Sequence, residues 1–237
     1  MIIIENSVVF LTGADGGIGR AFIKELILRK AKKVYISGLK IEDLTQLSEE
    51  YPEKLFPLKL DVTNPSDVQT CVAQCSDVTV LINNAGVELK SPFIAEKSAD
   101  CAKFEMDINY VGVVRMSNAF YETLKTNSNS AVVNILSIAS LLLIDRLATY
   151  CASKTAAHIF TQAIRRDFKN DGIIVFGVYP GYVDTTMSSD ITVYKISAEK
   201  LVENICDGIQ NNIFNIFPDD MSKSFENSNK LNLNFYP

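Results

Sequence analysis

Short apolar runs alternate with longer amphipathic segments along almost the whole chain. Runs that are apolar throughout are typical of strands covered on both faces, whereas apolar residues recurring every three or four positions indicate helices. The alternation predicts right-handed crossovers between the strands of a mostly parallel sheet. We predict strands at residues 8–12, 33–37, 55–59, 78–82, 131–136, 173–178 and 213–217, and helices at 17–29, 41–50, 65–74, 99–124, 148–169 and 198–210.

The organisation of the chain predicts one domain. It has 237 residues, 47% of them hydrophobic, which is enough to bury a sizeable core. No linker rich in proline, glycine or serine divides it, and no repeat is detectable. We therefore expect an α/β fold, a single doubly wound Rossmann-type domain over residues 1–237. For the Asn-rich tail, residues 226–237, two interpretations stay open: loose ordering, or anchoring through Phe235 and Tyr236.

Charge and cysteine usage exclude several classes of partner. The net charge of −5 comes from scattered residues, which gives no reason to expect nucleic acid or a membrane surface. The longest apolar stretches, at 78–82 and 135–144, are too short or too interrupted to span a bilayer. The apolar start, residues 1–10, lacks the basic region of a signal peptide. Five cysteines in no zinc pattern and a single histidine, His158, favour a reduced, cytoplasmic protein without a metal.

A glycine-rich turn follows the first predicted strand. The sequence Thr12-Gly13-Ala14-Asp15-Gly16-Gly17-Ile18-Gly19 leads directly into the first predicted helix. Glycines there let the backbone turn tightly and approach a pyrophosphate, and the helix N-terminus presents free N–H groups to it. The position at the first strand–helix junction predicts dinucleotide binding rather than an ordinary turn.

The glycine spacing, Gly-x-x-x-Gly-x-Gly, resembles that of the short-chain dehydrogenase/reductase family. Further marks of that family follow in order over about residues 6–218. They are Asp61-Val62, Asn83-Asn84-Ala85-Gly86, Asn109 with Gly112, Ser137, Tyr150-x-x-x-Lys154 and Pro180-Gly181-x-Val183-x-Thr185. The expected sheet order is then 3-2-1-4-5-6-7, with helices on both faces.

Tyr150 and Lys154 are four residues apart on a predicted helix, so their side chains share one face. Moving a hydride to or from a carbonyl carbon requires a proton transfer, and an adjacent ammonium would lower the pKa of a tyrosine towards neutrality. By resemblance, Lys154 also binds the nicotinamide ribose, Ser137 holds the substrate oxygen and Asn109 anchors a water in a proton relay. The residues expected to contact the cofactor are Gly13, Asp15, Gly17, Ile18, Gly19, Ser37, Lys40, Asp61, Val62, Asn84, Ala85, Gly86, Tyr150, Lys154, Pro180, Gly181, Val183 and Thr185.

The choice between the two nicotinamide cofactors depends on the residues after the second strand. No carboxylate stands there to accept from the ribose 2′-OH of NAD, and Lys40 and Ser37 are placed to contact a 2′-phosphate. Leu39 occupies the position where we would expect the arginine of NADP-dependent relatives, and Asp15 would repel a phosphate. We predict a preference for NADP and keep NAD as the alternative.

The pocket walls expected from the resemblance, residues 87–93, 138–144 and 182–187, are mainly apolar. We predict an oxidoreductase acting on a small hydrophobic alcohol or carbonyl compound, with residues 184–196 as a short lid. A nucleotide-sugar epimerase or dehydratase and a non-enzymatic NADP-binding sensor are the rival interpretations. The apolar content of helices 99–124 and 148–169 predicts a homodimer or homotetramer.

Overall fold

A computed structural model describes residues 2–229 of the chain. Within them, seven strands form one parallel sheet in the order β3-β2-β1-β4-β5-β6-β9, and two further strands, β7 and β8, form a small parallel pair. This confirms the predicted fold class and strand order. The strands are β1 (Val8–Thr12), β2 (Lys33–Gly38), β3 (Leu55–Lys59), β4 (Val80–Asn83), β5 (Ala131–Ile135), β6 (Ile174–Val178), β7 (Val183–Asp184), β8 (Ile196–Ser197) and β9 (Asn215–Ile216).

Helices cover both faces of the sheet. They are α1 (Gly17–Leu28), α2 (Ile41–Ser48), α3 (Pro65–Gln74), α4 (Ser98–Met106), α5 (Val113–Thr126), α6 (Ala148–Lys169), α7 (Ala198–Gln210) and α8 (Asp220–Asn229). Buried residues of α1, α2 and α7 form the core on one face, and buried residues of α3, α5 and α6 form the core on the other.

Strand β1 shows why its sequence is apolar throughout. Val9 and Leu11 point into the core under α1 and α7, whereas Val8 and Phe10 point into the core under α3 and α5. Phe10 is fully buried, and burial of a side chain of this size stabilises the fold by about 2–3 kcal/mol. A strand buried on both sides leaves no place for the polar alternation of a half-exposed strand.

The predicted helix 99–124 is wrong in one respect, because the structure divides it. A π-helical turn, Asp107–Gly112, separates α4 from α5. Gly112 lies against Val62, where a Cβ would come within 2.8 Å of Val62 Cγ2. The periodicity of apolar residues indicates a helix, but it does not distinguish a single π-helical turn, which contains one extra residue, from an α-helical one.

The last helix, α8, was absent from the sequence-based assignment, and it overlaps the start of the predicted tail. Its first turn is held by Asp219, which accepts hydrogen bonds from the backbone N–H and the hydroxyl of Ser222 at 2.9 Å each. The tail prediction for residues beyond 229 lies outside the described residues. Across residues 2–229 no helix is both long enough and apolar enough to cross a bilayer.

Candidate active site

The turn between β1 and α1 is built so that only glycine fits at two of its positions. Gly13 has a φ of +62°, and a Cβ there would lie 2.9 Å from Ala85 Cα. A Cβ at Gly19 would lie 2.2 Å from the carbonyl oxygen of Gly13, a backbone atom that cannot move aside. The N-cap of α1, Gly16, provides no side-chain hydrogen bond to the first turn. The helix therefore begins with backbone N–H groups available to an anionic ligand.

Thr12 ties this turn to the carboxyl end of β4. Its hydroxyl oxygen accepts from the backbone N–H groups of Asn84 and Ala85, both at 2.9 Å. The side-chain amide of Asn84 donates in return to the carbonyl oxygens of Thr12 and Gly13, also at 2.9 Å. The strand order reverses between β1 and β4, so these bonds fix the crevice where doubly wound sheets bind nucleotides.

A groove of about 830 Å³ opens above this crevice. Its glycine-lined floor fits a dinucleotide, since added Cβ atoms would close the turn that a pyrophosphate must approach. Most of the predicted cofactor contacts line it: Gly13, Asp15, Gly17, Ile18, Gly19, Asp61, Val62, Asn84, Ala85, Gly86 and Thr185. Pro180, Gly181 and Val183 line the adjoining pocket instead.

Two of the predicted contacts are placed differently. Ser37 is fully buried, and its hydroxyl donates to the carbonyl oxygen of Leu11 at 2.9 Å. It is therefore engaged within the sheet, and the prediction that it contacts the cofactor is wrong for this structure. Lys40 is exposed at the N-cap of α2 and does not line the groove, so its contact stays a prediction.

Arg20 lines the groove and was not predicted. Its Nε donates to the backbone carbonyl oxygen of Asp15 at 2.9 Å. Asp15 itself lies beside the end of β2, where a Cβ on Gly38 would come within 2.8 Å of its carboxylate. A cation and a carboxylate therefore lie together at the end of the groove where the second strand finishes.

A smaller pocket of about 110 Å³ adjoins the groove and shares residues with it, among them Ile18, Asn84 and Thr185. Tyr150, Lys154 and Ser137 line this pocket together. The pocket thus brings three of the four predicted catalytic residues to the point where a groove-bound molecule would meet a substrate.

The positions of these side chains follow from their elements. Tyr150 and Lys154 lie in the first turns of α6, and the Lys154 Nζ is 5.7 Å from the centroid of the Tyr150 ring. The Nζ donates to the carbonyl oxygen of Ile135, the last residue of β5, at 2.9 Å. Ser137 follows β5 and caps a short turn, where its hydroxyl accepts from the backbone N–H of Ala139 at 3.1 Å.

Asn109, the fourth predicted catalytic residue, lies in the π-helical turn. Its amide bonds both backbone groups of Val87, accepting from the N–H at 2.9 Å and donating to the carbonyl at 2.8 Å. It also donates to the hydroxyl of Ser153 on α6 at 2.9 Å. Asn109 therefore joins three parts of the site, and its part in a proton relay stays a prediction.

Burial controls the protonation of the two central groups. It raises the pKa of the Tyr150 phenol above its ordinary value, and the nearby Glu88 carboxylate adds to this, while Ser137 acts in the opposite direction. Burial lowers the pKa of Lys154 to about 8. The prediction that an adjacent ammonium brings the tyrosine pKa towards working pH stays a prediction, because burial, the largest effect on the phenol, acts in the opposite direction.

Two residues that shape the site, Glu88 and Asp219, belong to none of the motifs found in the sequence. Glu88 lines the small pocket within a segment that we predicted as an apolar wall. Asp219 accepts from the backbone N–H of Gly181 at 2.8 Å and so ties the Pro180-Gly181 turn to α8. Only Glu88 could have been found from the sequence, as the one carboxylate in a segment that we predicted to form a mainly apolar wall.

The histidine of the chain, His158, lies outside the pocket, as expected. Its Nδ1 is 2.9 Å from the hydroxyl of the buried Tyr179, and burial lowers its pKa, so the ring is a neutral packing residue. Within residues 2–229, no group of three or more His, Cys, Asp and Glu side chains is placed to hold a metal ion.

Comparison with known proteins places this site in a family. Residues 7–194 match the family model described as short chain dehydrogenase. The chain belongs to the short-chain dehydrogenase family. It is accordingly an NAD(P)-dependent oxidoreductase that acts on CH–OH or C=O groups, which confirms the resemblance seen in the motifs.

Individual members of the family match over most of their length. A short chain dehydrogenase from Burkholderia cenocepacia J2315, solved in complex with NADP, is 30% identical, with a TM-score of 0.90 and 99% of each chain covered. An uncharacterized oxidoreductase of Staphylococcus saprophyticus is 28% identical over 80% of this chain and 84% of its own. An NADP-dependent 3-hydroxy acid dehydrogenase of Schizosaccharomyces pombe is 26% identical over 78% and 74%, respectively.

Proposed function

We propose that this short-chain dehydrogenase transfers a hydride between NADP(H) and a small, mainly apolar carbonyl compound or alcohol, with Tyr150 as the general acid or base. The observation that carries the proposal is that Tyr150 and Lys154, both buried, line the small pocket together with the half-buried Ser137, next to the groove. A phenol, an ammonium and a hydroxyl in one desolvated site are the groups needed to move a proton to or from a reacting oxygen.

The groove residues fit the cofactor. The glycine turn and the free N-terminus of α1 would hold the pyrophosphate, Asp61 and Val62 would lie along the adenine side, and Lys154 would bond the nicotinamide ribose. When bound, the nicotinamide supplies or accepts the hydride. Thr185 closes the groove from the opposite side, and a Cβ on Gly17 would lie 2.7 Å from its methyl group.

The protonation states favour reduction at neutral pH. Because burial raises the pKa of Tyr150, its phenol keeps the proton and donates it to a carbonyl oxygen held by Ser137. Lys154, with a pKa of about 8, is mostly protonated at pH 7 and can return a proton to the tyrosine. Oxidation of an alcohol requires the phenolate and should accelerate as the pH rises.

NADP is proposed over NAD because of the basic groups at the end of the groove. Arg20 lines it and the exposed Lys40 comes directly after Leu39, which also lines it, whereas neither residue between β2 and α2 is a carboxylate. The Burkholderia cenocepacia relative was solved with NADP. Asp15 acts against this preference by its charge, so NAD is the alternative cofactor.

Further proposals concern the whole protein. The lid, residues 184–196, is tied at its ends, where Val183–Asp184 pairs with Ile196–Ser197. The exposed apolar side chain of Ile159 on α6 supports a homodimer or homotetramer, which light scattering would test. Five cysteines without disulfides are consistent with a reduced, cytoplasmic location.

The first experiment is a titration with NADPH and NADH, followed by the change in nicotinamide fluorescence, and then a search for carbonyl substrates. Tyr150→Phe should lower kcat by about 10²–10⁴ while cofactor affinity stays within a few fold. Tyr194→Phe, at an exposed tyrosine in the lid, is the matched control. Saturable cofactor binding without turnover of any carbonyl or alcohol would favour the non-enzymatic sensor.

A further inference from the structure

Glu88 is a carboxylate inside a pocket whose other walls are mostly apolar. It comes two residues after the Asn84-Ala85-Gly86 turn, is half-buried, and lines the same small pocket as Tyr150 and Ser137. It is close enough to act electrostatically on both Tyr150 and Lys154. The remaining lining includes Leu136, Ile138, Ile144, Leu147 and Met187.

The backbone on each side of Glu88 is pinned by α4 and the π-helical turn. Asn109 bonds both the N–H and the carbonyl of Val87, and Glu105 accepts from the N–H of Leu89 at 2.8 Å. Glu105 and Asn109 are four residues apart on the same side of this helical segment, and both are fully buried. Glu88 is therefore held in place at the pocket wall rather than on a free loop.

Among the described residues, Lys90 and Lys154 attract this carboxylate electrostatically, but neither pairs with it directly. Within residues 2–229, no hydrogen bond or ion pair engages the Glu88 side chain; the adjacent Lys90 pairs with Asp190, and Lys154 donates to Ile135. Burial, the largest effect, raises the pKa of Glu88. The half-buried carboxylate lines the pocket without a protein donor, so a ligand or water in the pocket can donate to it.

We propose that Glu88 is a specificity-determining residue that accepts a hydrogen bond from a hydroxyl or ammonium group on the substrate and rejects substrates that carry a carboxylate. The inference rests on the proposed function, because it assigns a partner within that substrate pocket. The apolar lining would contact the carbon skeleton, and the donor group would lie a few bonds from the reacting carbon.

The test compares four small ketones of similar size in NADPH-dependent reduction. In 4-hydroxy-2-butanone a hydroxyl replaces the terminal methyl of 2-pentanone, and methyl acetoacetate is the neutral counterpart of acetoacetate. The wild-type protein should prefer the hydroxyketone to 2-pentanone, and the ester to the acid, by about tenfold or more in kcat/KM, as expected for a charged hydrogen bond.

Glu88→Gln keeps the size of the side chain but removes its charge. It should reduce both preferences by about tenfold, and because each preference is a ratio within one variant, an effect of the lost charge on Tyr150 or Lys154 that is common to all four ketones cancels. Glu96→Gln removes a charge from an exposed position nearby and should change neither ratio. Should no ketone be reduced by protein that binds NADPH, the four compounds are ranked by binding to the NADPH complex, where the same two ratios apply.

The outcomes separate this inference from the proposed function. Ratios that are the same in wild type and Glu88→Gln, in an active or ligand-binding protein, overturn the role of Glu88 and leave the dehydrogenase standing. A folded protein that binds neither NADPH nor NADH contradicts the proposed function and, with it, the assignment of Glu88.

Discussion

The groove proposed for the cofactor and the pocket proposed for the substrate adjoin each other but are built in different ways. The groove depends on backbone: a left-handed Gly13, a Gly19 with no room for a Cβ, and the free N-terminus of α1. The pocket depends on side chains from separate segments, with Tyr150 and Lys154 from α6, Ser137 from the end of β5 and Glu88 from beyond β4.

The difference teaches where each part of the activity is encoded. A site built from backbone binds the dinucleotide, which is the same whatever the substrate, and a few of its glycines cannot be substituted. A side-chain site varies with each substitution, so substrate choice can change while cofactor binding persists. The predictions below test whether the two regions are separable, from the largest expected effect to the smallest.

The strongest test of the groove is Gly19→Val. A Cβ at this position would lie 2.2 Å from a backbone oxygen, so the turn must distort and NADPH affinity should fall by at least about 100-fold. Fluorescence titration measures the affinity, and thermal unfolding checks the fold. Gly16→Ala is the matched control, because a Cβ there meets its nearest atom at 3.5 Å. Equal affinity in the two variants would contradict the steric account of the turn.

The pocket is tested by Lys154→Met, which should lose turnover but gain stability. The folded-state pKa of about 8 lies below the ordinary 10.5, so the buried ammonium destabilises the wild type by about 3 kcal/mol at neutral pH. The variant also loses the hydrogen bond to the carbonyl of Ile135, which costs about 1 kcal/mol. Its free energy of unfolding should therefore be higher than that of the wild type by about 2 kcal/mol.

The sign of this effect sets its pH dependence. The wild-type penalty is complete below pH 8 and disappears as the pH approaches 10.5, so the advantage of Lys154→Met should shrink over that range. Chemical denaturation at a series of pH values measures it. Lys32→Met, at an exposed lysine, should show no such trend. A variant less stable than wild type at pH 7 would mean that the ammonium is well solvated.

Asp219→Asn tests the connection between the two regions. The carboxylate of Asp219 holds the N–H of Gly181 and the start of α8, so its neutral variant should loosen the turn that covers the pocket. We expect the KM for cofactor to rise by about tenfold, as for the loss of a charged hydrogen bond. Steady-state kinetics would show it. Asp220→Asn, at the exposed neighbour, should behave as wild type, and identical KM values in both variants would remove Asp219 from the site.

The smallest effects concern the edge of the groove. Arg20→Gln and Lys40→Glu should each weaken NADPH binding a few fold more than NADH binding, since the first removes a cation that lines the groove and the second reverses the charge of an exposed residue next to Leu39, which lines it. Titrations with both cofactors give the ratio. An unchanged ratio in Lys40→Glu but not in Arg20→Gln would assign the phosphate contact to Arg20 alone.

Most of the fold and the central site could be predicted from the sequence. The sheet could be predicted because the apolar pattern of a strand buried on both faces is visible within the strand itself. The groove could be predicted because the spacing of the glycines is visible within one short turn. Tyr150 and Lys154 share a helix face for the same reason. Ser37 was misplaced because its hydroxyl bonds the neighbouring strand, a long-range contact that no local pattern reports.

What the sequence by itself determined is therefore the α/β architecture and the family, and through the ordered motifs of that family it also gave the positions proposed for the dinucleotide, the phenol and the ammonium. The tertiary structure decided how deeply Tyr150 and Lys154 are buried, and burial raises the pKa of the first and lowers the pKa of the second. It also placed Glu88 at the pocket wall, between Val87 and Leu89, whose backbone N–H groups donate to Asn109 and Glu105. The burial of the two ionisable groups and the fixed position of Glu88 both depend on which distant segments pack together. No single stretch of the chain contains that information.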